Sequence, residues 1–258
     1  MKLLLSVLPS FQNSSFLVAH LGNACISSYL KKFRPDLQIR SLDLRTDQNA
    51  NHIWGPANLP QITFKKLFVS DIYDLPLVIS LITKFQKHKS MRHLLEPDPE
   101  IAIKWALEHS LYSDEIIEKL KATNIFALRQ IKKFEGYDIV GFSLYTTNLY
   151  LSVMIALLIR FNYPKKKIVF GGPQITQGET TRDLLLRGGV ADILILGEGE
   201  QPMLEVVNAI SSGEPIEKII GVKTLANISE PDTFSQTANL EELPVPDYDG
   251  TDFEAFNP

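Results

Sequence analysis

Three short apolar runs end in residues equipped to meet a ligand. Tyr137-Asp138-Ile139-Val140-Gly141-Phe142-Ser143, Lys167-Ile168-Val169-Phe170-Gly171-Gly172-Pro173 and Asp192-Ile193-Leu194-Ile195-Leu196-Gly197-Glu198-Gly199-Glu200 close on glycine, hydroxyl or carboxylate, and a helical pattern follows each. A buried parallel strand has this form where its carboxyl end opens onto a ligand crevice. Gly171-Gly172-Pro173 removes two Cβ atoms, which either admits a planar or phosphate-bearing ligand to the backbone or makes a tight turn into a helix. Ser143, with Leu144, Tyr145, Thr146 and Thr147 beyond it, brings hydroxyls that bond a ligand's polar edge or cap the next helix. Glu198, Gly199 and Glu200 set two carboxylates at a helix start, where the helix dipole alone favours them. Such a pair also suits hydroxyl or amide groups, and suits a bare phosphate poorly.

The elements that position these ends alternate between strand and helix. Residues 3–8 read as a buried strand stopped by Pro9-Ser10. Residues 16–33 carry Leu17, Leu21, Ala24, Cys25 and Tyr29 on one helical face, and 37–44 alternate as a second strand. Residues 60–134 change to helical spacing at 75–88, 99–109 and 113–134, more than one crossover helix requires. This reads as a helical insertion, serving a partner or substrate or simply packing. Alternation resumes with a strand at 138, a helix at 148–161, a strand at 167–170, a helix at 180–187, a strand at 192–196 and a helix at 200–211. The pattern predicts a doubly wound α/β domain on five parallel strands, with 219–225 available as a sixth at the edge. Residues 227–239 are polar and irregular, and 239–248 hold the prolines of an extended connector. The chain thus divides into 1–59 and 136–226 as two halves of one domain, 60–135 as the insertion and 227–258 as connector.

Composition removes several classes of function. The chain has 258 residues, 45% of them hydrophobic, enough for a sizeable core. Its 26 Lys and Arg against 30 Asp and Glu include no basic block to follow a phosphate backbone, so nucleic acid is not an expected partner. Cys25 stands alone, which excludes an internal disulfide and favours a reducing, cytoplasmic setting. The apolar start, 1–8, is too short for a secretion signal, and the most apolar stretch, 149–161, falls short of the roughly twenty residues that cross a bilayer. No G-x-G-x-x-G opens the first helix and no G-x-x-x-x-G-K occurs, so dinucleotide and triphosphate binding lose their main support. His88 and His93 lie off the four-residue helical spacing of metal ligands, among Lys87, Lys89 and Arg92, and read as a solvated basic patch. His20 reads as a packed or capping histidine and Cys25 as core.

Taken together, Asp138 through Ser143, Gly171-Gly172-Pro173, Asp192 through Gly197-Glu198-Gly199-Glu200, the strand at Gly221 and Leu243-Pro244-Val245-Pro246-Asp247-Tyr248 form a specific series. Over 136–249 their order and spacing resemble the amino-terminal cobalamin-binding domain of cobalamin-dependent radical S-adenosylmethionine enzymes. Residues 1–45 agree in pattern alone, and 60–134 do not share the resemblance. It implies a flavodoxin-like sheet of order 2-1-3-4-5 with cobalamin across its carboxyl edge. The implied binding residues are Pro9, Ser10, Ser143, Leu144, Tyr145, Thr146, Gly171, Gly172, Pro173, Glu198, Gly199 and Glu200. Gly171 and Gly172 would admit the cofactor's nucleotide tail, and Ser143 would lie beside it.

The family normally continues past the connector into a barrel whose C-x-x-x-C-x-x-C motif holds a 4Fe-4S cluster and S-adenosylmethionine. With no such motif here, the resemblance implies a module or fragment of a larger enzyme, a methyltransferase, inactive alone and partnered by that barrel in cis or in trans. Other cobalamin-binding domains place D-x-H-x-x-G after the first strand, the histidine ligating cobalt from below. Here the loop reads Pro9-Ser10-Phe11-Gln12-Asn13-Ser14-Ser15. Either cobalamin binds without a protein imidazole or the site is degenerate. Two further readings stay open, a cofactor-free domain retained for substrate docking or interdomain packing and a different flavodoxin-like ligand binder.

Overall fold

The computed structural model describes residues 1–9, 19–47, 50, 75–88, 90–108, 112–237, 240–249, 251 and 253–254. Among them, β1 (Lys2–Val7), β2 (Gln38–Asp43), β3 (Ile139–Ser143), β4 (Lys167–Gly171), β5 (Ile193–Ile195) and β6 (Val222–Lys223) form one sheet in the order β2-β1-β3-β4-β5-β6. The first five strands are parallel, and β6 runs antiparallel to β5. This is the doubly wound α/β sheet that the sequence predicts, with its edge strand shortened to two residues and reversed. The helices are α1 (Leu21–Phe33), α2 (Leu75–His88), α3 (Met91–Leu95), α4 (Pro99–Glu108), α5 (Ser113–Gln130), α6 (Leu149–Asn162), α7 (Pro173–Gln177), α8 (Glu179–Arg187) and α9 (Glu200–Ser212).

Strand alternation divides the core in two. Leu4, Val140, Phe142, Ile168, Phe170 and Leu194 face one side, where α2, α5 and α6 contribute Leu77, Leu81, Phe126 and Ile155. Leu3, Leu5, Ile139, Val169, Ile193 and Ile195 face the other, beneath Leu30 of α1 and Met203, Val206 and Val207 of α9. All of residues 149–159 in α6 are buried. The cause is that α2 and α5 pack against α6, so no face of α6 is left for polar residues. The described part of the insertion is therefore continuous with the larger core.

Three local details differ from the sequence expectation. Residues 113–134 are not one helix, because the last four tighten into a 3₁₀ turn, Ile131–Phe134, that leads into β3. Gly172-Pro173 opens directly into the short α7, with proline in the first turn where its missing N–H costs nothing. The first helix begins at Leu21 rather than 16 because the His20 side chain caps it. Residues 10–18, including Ser10 and the Phe11-Gln12-Asn13 loop, lie outside the described residues.

Candidate functional site

Strand register builds the floor of a cavity. Leu5 on β1 pairs with Gly141 on β3, Gly141 with Val169 on β4, and Ser143 with Gly171. Gly141 and Gly171 thus remove side chains at two successive levels of the same sheet face, at the carboxyl end under α1 and α9. The result is a cavity of about 290 Å³ floored by Leu5, Gly141, Val169 and Ile195. Ile26 and Met203 line it from the helices, and Ser143, Tyr145, Glu198 and Glu200 add polar groups. Ligand pockets run roughly 300–1,000 Å³, so this space lies at the lower end of that range.

The two adjacent glycines do different work. A Cβ on Gly171 would sit 3.8 Å from Ile195 Cβ, ordinary contact. Gly172 has φ +98°, and a Cβ there would lie 2.8 Å from the Leu144 carbonyl oxygen and 2.9 Å from its nitrogen. That closeness has a cause: the Leu144 N–H donates to Gly171 O at 2.8 Å, and its carbonyl accepts from Gln174 N at 3.2 Å. Gly172 is therefore required by the turn, while Gly171 leaves ligand space. Leu144, among the residues expected to bind, has its side chain buried in the larger core on the opposite face.

His20 stands at the cavity wall with both nitrogens engaged. Nδ1 accepts the Asn23 N–H at 3.0 Å, so the ring proton is on Nε2 and is donated to Tyr145 Oη at 2.9 Å. Burial lowers its pKa to about 4, Arg45 adding to the effect and Asp43 opposing it. The histidine is consequently neutral at neutral pH, as a capping residue. Asn148 organises the β3 end, accepting Tyr145 N–H at 2.9 Å and donating to Ser143 O at 3.2 Å. Thr146 opens the 3₁₀ turn Thr146–Asn148.

The β5 end is fixed from two sides. Gly197, at φ +85°, allows the backbone of Ser235 to approach where a Cβ would meet Ser235 O at 2.3 Å. Its N–H donates to Thr176 Oγ1 at 3.1 Å, tying this loop to α7. The Glu198 N–H bonds Ser235 O at 3.0 Å and its carboxylate accepts from Thr237 N–H. Glu200 lines the cavity with its pKa raised by burial.

Of the residues expected to bind, the fold gathers Ser143, Tyr145, Gly171, Gly172, Pro173, Glu198, Gly199 and Glu200 around this one cavity. Pro9 is buried and does not line it. Sequence reading missed Gly141, His20, Asn23 and Ile26 as lining residues. The lone glycine inside an otherwise apolar strand run was the available signal for the first.

A second, polar cavity of about 220 Å³ lies on the other side of His20, between the β2 end and the connector. The connector is held there by an Asp247 N–H bond to Ala24 O at 3.0 Å and by the ion pair of Asp247 with Lys31. His88 and His93 stack with centroids 4.3 Å apart. Among the described residues no group of three or more His, Cys, Asp or Glu is placed to hold a metal ion, and no helix is long and apolar enough to cross a membrane.

The fold and cavity define an open α/β sheet with a ligand-sized recess at its carboxyl edge. No family model matches the chain. A protein of Pyrococcus horikoshii named as an uncharacterized methyltransferase is 30% identical over 139 residues, covering 53% of this chain and 29% of that protein. The chain therefore corresponds to under a third of that relative's length.

Proposed function

We propose that this chain is a cobalamin-binding module of a methyltransferase of the radical S-adenosylmethionine type. One observation carries the reading: Gly141 and Gly171 open the apolar face of the sheet at its carboxyl edge, leaving a recess for a flat, apolar ring beneath α1 and α9. A benzimidazole-ended nucleotide tail has that shape and character. The rest of so large a cofactor would lie across the rim, where Tyr145, Glu198 and Glu200 stand to meet its amide side chains. The methyltransferase name of the relative agrees with the kind of reaction, and the strand order agrees with the fold.

When bound, cobalamin supplies a transferable methyl group on cobalt. The chain's own contribution is to seat the tail, shield it from water and orient the exposed face. His20 spends its Nδ1 lone pair on the α1 cap, so in this arrangement it has no nitrogen to offer cobalt. His20 would then hold the helix cap rather than serve the cofactor as a ligand. The catalytic barrel with its cluster and S-adenosylmethionine would be supplied in cis or in trans.

Titration with hydroxocobalamin followed by gel filtration tests the proposal. Stoichiometric retention of the red cofactor is expected. A folded protein that retains none would favour a cofactor-free domain used for docking or packing. Nitrogen superhyperfine splitting in the cobalt(II) resonance that disappears in His20→Ala would make His20 the ligand instead.

A further inference from the structure

Five buried side-chain polar atoms have no hydrogen-bond partner among the described residues, Ser6 Oγ, Asn23 Nδ2, Gln130 Oε1, Ser152 Oγ and Arg160 Nε. Of these residues Asn23 alone lines the cavity. It is 5% exposed, so water does not readily satisfy its amide. Its place in the first turn of α1 does not call for an amide either. The cap is made by His20, which accepts from the Asn23 backbone N–H, and the Asn23 side chain caps nothing. A buried donor without an acceptor is destabilising, and an apolar residue of the same size would avoid the penalty. The asparagine is thus a cost to the fold in the absence of a ligand.

We infer that Asn23 is a specificity-determining residue that donates from Nδ2 to a hydrogen-bond acceptor on the buried end of the ligand. The lining explains the need for one. Leu5, Val169, Ile195, Ile26 and Met203 accept any flat apolar ring alike. A buried, unpartnered donor in such a wall distinguishes a ring bearing an unprotonated nitrogen from a hydrocarbon or phenolic ring, because the wrong ligand leaves that donor unpaired. The inference rests on the cobalamin reading, in which that acceptor is the imine-type nitrogen of the benzimidazole released from cobalt.

The test compares three probes on the full chain by absorbance or fluorescence titration. They are cobalamin, a cobamide whose tail ends in p-cresol and therefore has no ring nitrogen, and cobinamide, which has no tail. Wild type should prefer cobalamin over the cresol form, and Asn23→Leu should lower that preference by about fivefold to tenfold, the value of one such bond. Asn23→Asp keeps the shape and favours the helix start while turning donor into acceptor, so it should lower cobalamin affinity more than cresol affinity. It also serves if the leucine variant fails to fold. A preference unchanged in both variants, with cobalamin and the cresol form still bound, overturns the role of Asn23 alone. Failure of wild type to bind any probe, or equal affinity for cobinamide and cobalamin, overturns the reading of the cavity itself.

Discussion

Gly171 and Gly172 are neighbours in sequence, and the fold predicts opposite consequences for the same substitution. At Gly172 the backbone has φ +98° and ψ 178°, a region essentially reserved for glycine. Forcing another residue into such a region costs about 1–3 kcal/mol. The new Cβ would also lie 2.8 Å from a backbone oxygen that is itself held by Gln174 N–H, so nothing nearby yields cheaply. Gly172→Ala should therefore fall at the upper end, about 3 kcal/mol, lowering the melting temperature by roughly 6–12 °C for a chain of this size. At Gly171 the strand backbone is ordinary and the nearest atom to a Cβ is 3.8 Å away. Alanine there restricts the unfolded chain and should stabilise by roughly 0.4–1 kcal/mol, while narrowing the recess and weakening cobalamin binding. Thermal melts followed by circular dichroism, run side by side with cofactor titration, give both readouts. If Gly172→Ala melts with wild type, or Gly171→Ala falls as far as Gly172→Ala, the division of labour argued for the pair is refuted.

Three other perturbations probe the frame around the recess. Gly141→Ala would bring a Cβ to 3.1 Å from Leu5 Cδ2, the far end of a side chain, so the fold should survive with a small shift while cobalamin affinity drops; equal affinity would place the tail elsewhere. Asp232 neutralises the nearly buried Arg182 and Lys223, the latter at 2.9 Å. Asp232→Ala leaves both cations uncompensated and should cost toward the low end of about 3–5 kcal/mol in urea unfolding, since the aspartate is partly exposed; a loss under about 1 kcal/mol would refute that role. His20 titrates near 4 when folded against 6.5 ordinarily, so the unfolded chain alone takes up the proton between these values. Stability is then intact above 6.5 and declines as pH falls to 4, by at most about 3 kcal/mol. His20→Asn, which caps without titrating, should flatten that decline in urea unfolding at neutral and mildly acid pH, and an unchanged slope would refute the assignment.

The strands and most helices were legible because a parallel strand buried on both faces must be a continuous apolar run, whatever surrounds it. What hydropathy could not reveal was register. Gly141 reads as one small residue in Ile139-Val140-Gly141-Phe142, and its meaning emerges when β3 is laid between Leu5 and Val169. His20 and Asn23 were obscured in another way, because the helical spacing of residues 16–33 masks a start signal inside it. Residues 227–239 read as irregular from their polarity, and the described ones, 227–237, largely are. Yet Asn227 is 6% and Ser235 9% exposed, because Asn227 bonds Glu217 O and Val222 O and Ser235 bridges Gly197. Polar residues buried by mutual pairing look like solvent-facing ones in a one-dimensional reading.

The two faces of the sheet are unequal, and the inequality bears on where a site can be placed. The face toward α6 is backed by a further helical layer and carries the larger core. The opposite face is covered by α1 and α9, and there the two glycines and the cavity withhold side-chain packing. Each missing contact weakens that face by dispersion and burial alike. A fold whose stability were shared equally would tolerate the recess poorly. With the deeper core on the far side, a ligand seated beneath α1 and α9 supplies the missing packing, so binding and local stability should rise together.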